Sequence, residues 1–217
     1  MKQVLSLLAA VCMLAVAGNL HAQELTTAEK AEGWVSLFDG KTLDGWEHNQ
    51  EYNGFEVKDG AIVGTGEFCH LFYMKEKYKD FELKIDCKVN KNGNGGVYIK
   101  VPQKEKGWPV KGFELQMNNS HSDKVKTGSL YNIVRIYKAQ HGDDEWFTYH
   151  LIAKGNTLTV SVNGEVLYQY VDPVEAFPVP EQVTEKNKRI SQEGFIALQQ
   201  HDPGTVVGFK NIKVKKL

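Results

Sequence analysis

The sequence predicts an all-β fold, a two-sheet jelly-roll β-sandwich. The first observation is that short apolar segments recur along the chain, separated by turn residues such as Asp59-Gly60 and Asn163-Gly164. Asp-Gly and Asn-Gly pairs in such positions are typical of tight hairpins. The second is that segment 81–89 alternates strictly between apolar and polar residues, as a half-buried antiparallel strand does. The third is that helical patterning is confined to one short segment, 25–33.

About ten short strands with almost no helix favour a sandwich or barrel. The predicted strands are 34–38, 55–57, 61–63, 81–89, 97–101, 112–117, 148–154, 157–162, 165–170, 194–199 and 208–214. The predicted helix begins after Thr26 or Thr27 as N-cap and ends at Gly33. Three long loops remain, 101–111, 118–144 and 172–189. Loops of that length in a compact domain are usually functional rims or disordered.

The first 22 residues are typical of a secretory signal peptide. Lys2 supplies a positive charge, and the apolar run 4–17 is too short to cross a bilayer comfortably. Leu20-His21-Ala22 then resembles a cleavage site. We therefore expect a signal peptide at 1–22, a lead-in at 23–33 and one jelly-roll domain at 34–217, in a periplasmic or secreted protein.

Composition narrows the classes of partner. The 217 residues are enough for one hydrophobic core without disulfides or metals. The formal net charge of -1 and the scattered basic residues argue against nucleic acid as a partner, because phosphate binding needs clustered Lys and Arg. No segment after the signal is apolar over the length of a membrane span. Cys69 and Cys87 could pair in an oxidising compartment or pack as buried free thiols.

Segment 113–117 contains the most informative polar pair. Period-two alternation directs Phe113, Leu115 and Met117 to the core and Glu114 and Gln116 to the opposite face. A carboxylate beside an amide suits sugar hydroxyls, because the carboxylate accepts hydrogen bonds and the amide both donates and accepts them. The alternative is an ordinary solvated strand face.

A second polar pair follows an apolar strand near the C-terminus. Gln199 and His201 share one face if the strand extends that far, and histidine exchanges protons readily near neutral pH. His201 could instead be a turn residue before Asp202-Pro203-Gly204. His70 and His121 fall in predicted loops and are weaker candidates for the rim of a site.

Exposed aromatic rings matter because the apolar face of a pyranose stacks on them. The candidates outside the predicted core are Trp108, Tyr98, Tyr131 and Tyr137. Trp108 is the preferred stacking residue because it lies in a predicted loop.

Nine segments in order resemble the 3-keto-disaccharide hydrolase family, long known as a domain of unknown function. They are 36–46 (SLFDGKTLDGW), 78–83 (YKDFEL), 95–98 (GGVY), 112–116 (GFELQ), 127–131 (TGSLY), 145–149 (EWFTY), 162–164 (VNG), 196–201 (IALQQH) and 209–212 (FKNI). Together they extend over nearly the whole mature chain. The chain departs from the family pattern at Asn94-Gly95-Gly96, where the family usually has Asn-Ser-Gly, and at Lys210, where it has Arg.

The resemblance implies a concanavalin A-like jelly roll that binds sugar on its concave sheet and cleaves glycosides oxidised at C3. Glu114 and Gln116 match the family's E-x-Q motif. On this basis we hypothesise Glu114 as general base and His201 as acid or metal ligand. Gln116 or Lys100 would be the partner of the enolate oxygen, and Tyr98, Trp108, Tyr131 and Gln199 would bind substrate.

Several alternatives remain open at this stage. The resemblance does not separate a hydrolase from a β-elimination lyase. A lectin-like binding module or a structural partner of a surface polysaccharide system would use the same face. An ordinary retaining glycosidase is less favoured, because Glu114-x-Gln116 supplies one carboxylate where two are needed. Glu114, His201, Asp143 and Asp144 could together assemble a divalent-metal site.

Overall fold

The computed structural model describes residues 24–102, 104, 106–109, 111–172, 190 and 192–217. The predicted signal peptide, 1–22, and most of the predicted loop 172–189 lie outside these residues. Within them, the chain forms one helix and thirteen strands. They are α1 (Thr27–Ala31), β1 (Trp34–Ser36), β2 (Trp46–His48), β3 (Phe55–Lys58), β4 (Ala61–Gly64), β5 (Cys69–Tyr78), β6 (Phe81–Val89), β7 (Gly95–Val101), β8 (Phe113–Met117), β9 (Phe147–Lys154), β10 (Thr157–Val162), β11 (Glu165–Val171), β12 (Gly194–Gln200) and β13 (Val207–Lys216).

The strands form two antiparallel sheets, which confirms the predicted all-β sandwich. The eight-stranded sheet has the order β11-β10-β9-β6-β13-β4-β3, with β1 also paired to β13. The five-stranded sheet has the order β2-β5-β12-β7-β8. Neighbours in the five-stranded sheet are mostly distant in sequence, so this sheet brings together residues from widely separated motifs.

The hydrophobic core lies between the two sheets. Strand β6 shows the predicted alternation, with Phe81, Leu83 and Ile85 fully buried and the residues between them partly exposed. Leu115 of β8 and Leu198 of β12 belong to the same buried cluster. Each such side chain stabilises the fold by roughly 1.5–3 kcal/mol relative to exposure.

The two predicted hairpin turns are confirmed. Asp59 and Gly60 have φ angles of 51° and 73°, and Asn163 and Gly164 have φ angles of 51° and 82°. Positive φ at both central residues is the signature of a type I′ turn, whose twist matches that of the flanking strands. These turns fix the registers of β3 with β4 and of β10 with β11.

The short helix is also confirmed, with boundaries slightly inside the predicted segment. Thr26 is the N-cap, and its side chain and that of Glu29 form a reciprocal capping box. Among the described residues, no helix is long and apolar enough to cross a membrane.

Two strands of the five-stranded sheet, β2 and β5, are absent from the sequence prediction. Strand β5 lacks alternation because its first five residues, 69–73, are all buried. Leu71 and Tyr73 face the core between the sheets, whereas Phe72 packs in a second apolar cluster on the outer face. A strand buried on both faces reads as a continuous apolar run, which period-two patterning does not detect.

Cys69 and Cys87 are free thiols. Cys69 lies in β5 and Cys87 in β6, so they belong to different sheets, and both are fully buried. Burial raises the pKa of the Cys87 thiol well above its usual value, which keeps it protonated. Of the alternatives left open by the sequence, the structure has the unpaired thiols.

Candidate active site

The outer face of the five-stranded sheet carries two cross-strand rows, one largely polar and one that is partly apolar. The first row runs across β5, β12, β7 and β8 and contains His70, Gln199, Gly96 and Gln116. Directly opposed side chains in antiparallel strands are about 4.5–5.5 Å apart at Cβ. The register therefore brings together residues from three sequence motifs and His70 of β5, which lies outside them.

The second row contains Phe72, Ala197, Tyr98 and Glu114 on the same four strands. The Tyr98 hydroxyl donates a 2.7 Å hydrogen bond to Oε2 of Glu114 and accepts a 3.3 Å hydrogen bond from Nε2 of Gln199. Burial raises the pKa of Tyr98 well above its usual value, and the nearby Glu114 carboxylate raises it further. The phenol therefore stays neutral and holds the carboxylate in one orientation.

Gly96 creates the space between these rows. A Cβ atom at this position would lie 2.9 Å from Oε1 of Glu114 and 3.3 Å from Oε1 of Gln199. The absence of a side chain thus lets the carboxylate and the amide approach each other. Ala197, the neighbour of Tyr98 across β12, is also small. The result is a depression in the sheet rather than a flat face.

Residues of the predicted loops 101–111 and 118–144 complete a cavity of about 230 Å³ above this depression. Its lining consists of Asn94, Tyr98, Trp108, Pro109, Glu114, Asp123, Tyr131, Asn132, Gln199 and His201. This volume is below the roughly 300–1,000 Å³ of pockets for drug-sized ligands, so the cavity suits a small polar ligand. The backbone N–H of Tyr131 donates to the carbonyl of Glu114 at 2.9 Å, which anchors one loop to β8.

Trp108 lies at one side of the cavity as a supported platform. Its indole stacks on Phe68, with ring centroids 4.9 Å apart and an interplanar angle of 12°. The His201 ring lies 4.6 Å away. Trp108 remains 41% exposed, so part of its indole is accessible to the apolar face of a sugar ring.

His201 follows directly after β12 and is brought to the cavity as predicted for the face of Gln199. Its backbone N–H donates to the carbonyl of Asn94 at 3.2 Å. Its Nδ1 lies 2.9 Å from Oδ1 of Asp202, outside hydrogen-bond geometry. Nε2 of His121 lies 3.3 Å from the other oxygen of the same carboxylate. His201 therefore lines the cavity and also immediately precedes the predicted turn at Asp202-Pro203-Gly204, so the two alternatives offered by the sequence are compatible.

His70 was predicted in a loop and instead lies in β5, fully buried beneath the cavity. Its ring is 5.3 Å from that of Tyr98 and 5.5 Å from that of Trp108, edge-on in both cases. Burial, assisted by the nearby His201, lowers the pKa of His70 to about 3. The imidazole is therefore neutral at physiological pH.

Several buried polar atoms at the base of the site lack a hydrogen-bond partner among the described residues. They are both ring nitrogens of His70 and the side-chain carbonyl oxygens of Gln116 and Gln199. Unsatisfied buried polar groups are costly and rare in folded proteins. Other such atoms occur elsewhere in the described part of the chain, but these four lie side by side at the cavity, where a polar ligand could satisfy them.

Gln116 does not line the cavity itself but hydrogen-bonds to Asn94, which does. Its Nε2 donates a 2.7 Å hydrogen bond to Oδ1 of Asn94, and Asn94 lines the cavity. The backbone of Asn94 is fixed as well, since its N–H donates to Oγ1 of Thr205 at 3.0 Å. Asn94 is thus held with its amide nitrogen as the remaining side-chain donor.

Lys100 is the predicted site residue that the structure does not bring to the cavity. Its ammonium donates to the carbonyl of Lys79 and lies 5.1 Å from the centroid of the Phe81 ring. Burial lowers the pKa of Lys100 to about 8. The cause of the misplacement is local: Lys100 has φ 61°, and the register of β7 with β12 shifts beside it. This bulge breaks the alternation that would have put Lys100 beside Tyr98.

Two further sequence suggestions lie apart from the cavity. Tyr137 is 64% exposed and is not part of the lining. The described part of the chain contains no group of three or more His, Cys, Asp or Glu residues placed to hold a metal ion. Asp143 and Asp144 are therefore not assembled with Glu114 and His201.

Sequence reasoning missed Asn94, Asp123 and Asn132 as lining residues and underrated His70. Asn94 directly precedes the Gly95-Gly96 pair. Glycines within a strand often mark a place where a ligand or another backbone approaches closely, so this position could have indicated that Asn94 lies at the site. Asp123 and Asn132 lie in long loops, where no local pattern indicates which residues turn inward.

Comparisons with known proteins extend these observations. A family model described as the 3-keto-alpha-glucoside-1,2-lyase-like domain matches residues 33–215. A Bacteroides thetaiotaomicron protein named 3-keto-disaccharide hydrolase is 26% identical to this chain over a gapped alignment 253 residues long. The alignment covers 92% of this chain and 84% of that protein.

Solved structures show the same architecture. A crystal structure from Parabacteroides distasonis, whose name assigns it to the glycosyl hydrolases, is 28% identical with a TM-score of 0.74. The match covers 90% of this chain and 99% of that chain. The β-glucanase of Bacillus licheniformis is 12% identical with a TM-score of 0.55, covering 85% of this chain and 98% of that chain, which shows the fold alone. The sheet order, the E-x-Q strand and the match over 33–215 together show that the chain belongs to the 3-keto-alpha-glucoside-1,2-lyase-like family.

Proposed function

We propose that this protein is an exported carbohydrate-active enzyme that cleaves glycosides already oxidised to a ketone at C3. Family membership and the name of the Bacteroides relative support this substrate class. The observation that carries the proposal is one oriented carboxylate, Glu114, in a cavity that also contains His201 and the exposed ring of Trp108.

The chemistry of a 3-keto-glycoside suits a single base. The ketone at C3 acidifies the proton on C2, so a base can remove that proton to form an enolate. The substituent at C1 is β to the ketone and leaves when the enolate collapses, which gives an enone and a free alcohol. Addition of water to the enone completes a net hydrolysis, whereas release of the enone makes the reaction a lyase reaction.

We assign the removal of the C2 proton to Glu114. The hydrogen bond from the neutral Tyr98 hydroxyl orients the carboxylate, and the absence of a side chain at Gly96 leaves room for the carboxylate itself. A positioned general base of this kind contributes about 100- to 10,000-fold to a rate.

We assign proton donation to the departing oxygen at C1 to His201. The ring lies at the cavity wall between Trp108 and Asp202, within the same lining as Glu114. Imidazole exchanges protons near neutral pH, as this step needs. A sugar ring stacked on Trp108 would present its C1 oxygen to this side of the cavity.

The enolate oxygen at C3 needs a hydrogen-bond donor. We assign this role to the side-chain amide of Asn94, which Gln116 holds through Oδ1. Gln116 is then a positioning residue. Lys100, the alternative suggested by the sequence, has no part in this mechanism because its ammonium binds the carbonyl of Lys79.

The decisive experiment is mass spectrometry of the purified protein with a 3-keto-glucoside, beside the unoxidised glucoside, with and without a chelator. We expect cleavage of the keto sugar only. A product carrying the mass of one added water indicates the hydrolase and an enone the lyase. Cleavage of the unoxidised sugar would identify an ordinary glycosidase, and glycan binding with no cleavage would identify a lectin.

The base is tested by Glu114→Gln. We expect turnover to fall about 100- to 10,000-fold, with substrate binding, measured by isothermal titration calorimetry, largely kept. Exchange of the C2 proton in heavy water should be lost with it. Glu56→Gln, at an exposed position on β3, is the matched control and should keep full activity. Retained exchange in Glu114→Gln would remove the assignment.

We also propose that the protein reaches the periplasm or the medium by cleavage of the signal peptide at 1–22. The positive residue, apolar run and small residue at the expected cut support this. N-terminal sequencing of protein from the native host should begin near Gln23. A mature chain that retains Met1 would contradict export by this route.

A further inference from the structure

A second groove lies on the outer face of the eight-stranded sheet, on the opposite side of the sandwich from the candidate active site. Gly208 of β13 pairs with Val63 of β4 and Lys88 of β6, and these three residues form its floor. The indole of Trp146 packs directly over Gly208, where a Cβ atom would lie 3.0 Å from the ring. The groove has a volume of about 310 Å³.

Three lysines surround Trp146 in this groove. The ammonium of Lys210 lies 4.3 Å from the centroid of the indole and that of Lys88 lies 5.0 Å from it, and Lys58 completes the lining. None of the three has a carboxylate within 4.0 Å among the described residues. Asp59 is the one acidic residue in the lining.

A similar arrangement on the same sheet has the opposite character. Trp34 also has two ammonium groups over its indole, Lys84 at 4.8 Å and Lys215 at 5.1 Å. However, Trp34 is 4% exposed, and Lys215 is neutralised by Glu82 at 2.9 Å. At Trp34 the ring is packed and one of the two ammonium groups has a carboxylate partner. At Trp146 the ring is 37% exposed, and neither ammonium over it has a carboxylate within 4.0 Å among the described residues, although Lys210 lies opposite Asp86 across the strands.

The groove thus combines an exposed aromatic ring, the small or apolar residues Gly208 and Val63, and clustered positive charge. A ring of this kind packs against the apolar face of a sugar, and the ammonium groups attract an anionic substituent. Holding like charges around one ring is unfavourable by itself, and an anion between them removes the repulsion.

We propose that this groove is a second carbohydrate site, which binds an anionic polysaccharide bearing carboxylate or sulfate groups. The sugar packs beside Trp146, and its anionic group lies between Lys88 and Lys210. Because the site is on the opposite face from the cavity, it retains the protein on polymeric material without blocking the reaction. The proposal stands independently of the activity assigned to Glu114.

Affinity electrophoresis of the full mature chain tests the proposal with three polymers: polygalacturonate, dextran sulfate and neutral dextran. We expect one or both anionic polymers to retard the protein and neutral dextran to leave it unaffected. Raising the salt from about 50 to 300 mM should weaken the retardation, because screening shortens the reach of exposed charges. The two anionic polymers distinguish carboxylate from sulfate as the recognised group.

The double variant Lys88→Gln/Lys210→Gln should weaken the retardation about tenfold or more and leave cleavage of a small substrate unchanged. Lys84→Gln is the matched control, since it removes an ammonium over a tryptophan of the same sheet without touching the groove. Equal loss in Lys84→Gln would overturn the proposal by indicating a general charge effect. Absence of retardation, equal retardation by neutral dextran, or binding only to vesicles of anionic lipid would overturn it as well.

Discussion

The outer faces of the two sheets carry polar residues in opposite states. On the five-stranded sheet, His70, Gln116 and Gln199 are nearly inaccessible and retain polar atoms without partners among the described residues. On the eight-stranded sheet, Glu82 is contacted by Lys215 at 2.9 Å and by His150 at 3.3 Å. Both faces arise from the same alternation along antiparallel strands. They differ because long loops cover the first and leave the second open.

This difference teaches how the fold separates stability from chemistry. Polar groups on the open face satisfy one another or contact water, so each contributes little to stability. Those on the covered face lose water without gaining full partners, which is costly unless a ligand compensates. The covered face is therefore where a polar ligand gains most by binding.

Among substitutions that keep the proposed catalytic side chains, the largest effect is expected from filling the space at Gly96. In Gly96→Ala the new Cβ meets the carboxylate end of Glu114, a flexible side chain that can move aside. We expect the protein to fold and turnover to fall about 100-fold, because small displacements of a catalytic group have effects of that size. Steady-state kinetics and circular dichroism measure the two quantities.

Gly95→Ala is the matched comparison for Gly96→Ala. Its Cβ would lie 2.7 Å from the backbone carbonyl oxygen of Gln199, which cannot move aside without disturbing the sheet. We expect lost stability there, not a selective loss of turnover. Full turnover in Gly96→Ala would contradict the claim that the depression at Gly96 is needed to position Glu114 for catalysis.

The next effect is the acid sensitivity of the covered face. The pKa of His70 is about 3 in the folded state, against 6.5 for the ordinary side chain. The unfolded chain therefore takes up a proton below pH 6.5 while the folded chain does not, so the free energy of unfolding falls as pH falls from 6.5 towards 3. At pH 5 the loss is about 2 kcal/mol.

Urea unfolding at pH 7 and pH 5 measures this loss for the wild type and for His70→Gln. The substitution should remove the contribution of about 2 kcal/mol from His70 and leave that of His48 and His141, whose pKa values are also lowered by burial. His150→Gln, on the open face, is the control and should keep the difference. An unchanged pH dependence in His70→Gln would mean that His70 does not remain neutral in the folded protein.

The smallest effect is expected on the open face. Glu82→Gln weakens the contacts with Lys215 and His150, and we expect less than about 1 kcal/mol of lost stability, since ion pairs at partly exposed sites contribute little. Turnover should be unchanged. Thermal unfolding and steady-state kinetics of this variant measure the two quantities. A large loss of activity would contradict the view that Glu82, on the open face, has no part in the reaction.

The sequence predicts the fold well where one face of a strand is buried. Strand β6 and the hairpin at Asn163-Gly164 carry strong local signals, and both are confirmed. Strand β5 was missed because it is buried on both faces. Patterning detects a contrast between the two sides of a strand, and β5 has none.

The candidate site was predictable residue by residue but not as an arrangement. Alternation indicated the orientation of Glu114 and Gln199, whereas their proximity depends on β12 lying beside β7, strands about one hundred residues apart. Lys100 shows the limit of alternation, because one residue with positive φ turns its side chain away from the row of Tyr98. His70 became a candidate only when β5 was placed in the sheet.

The two-sided burial of β5 has a consequence for inactivation by heat. The same strand packs Leu71 into the main core and places His70 and Phe72 beneath the cavity. The cavity floor cannot loosen while the core stays intact, since both depend on one stretch of backbone. Loss of the site on heating is therefore tied to melting of the whole domain, and chemistry and folding share a single thermal limit.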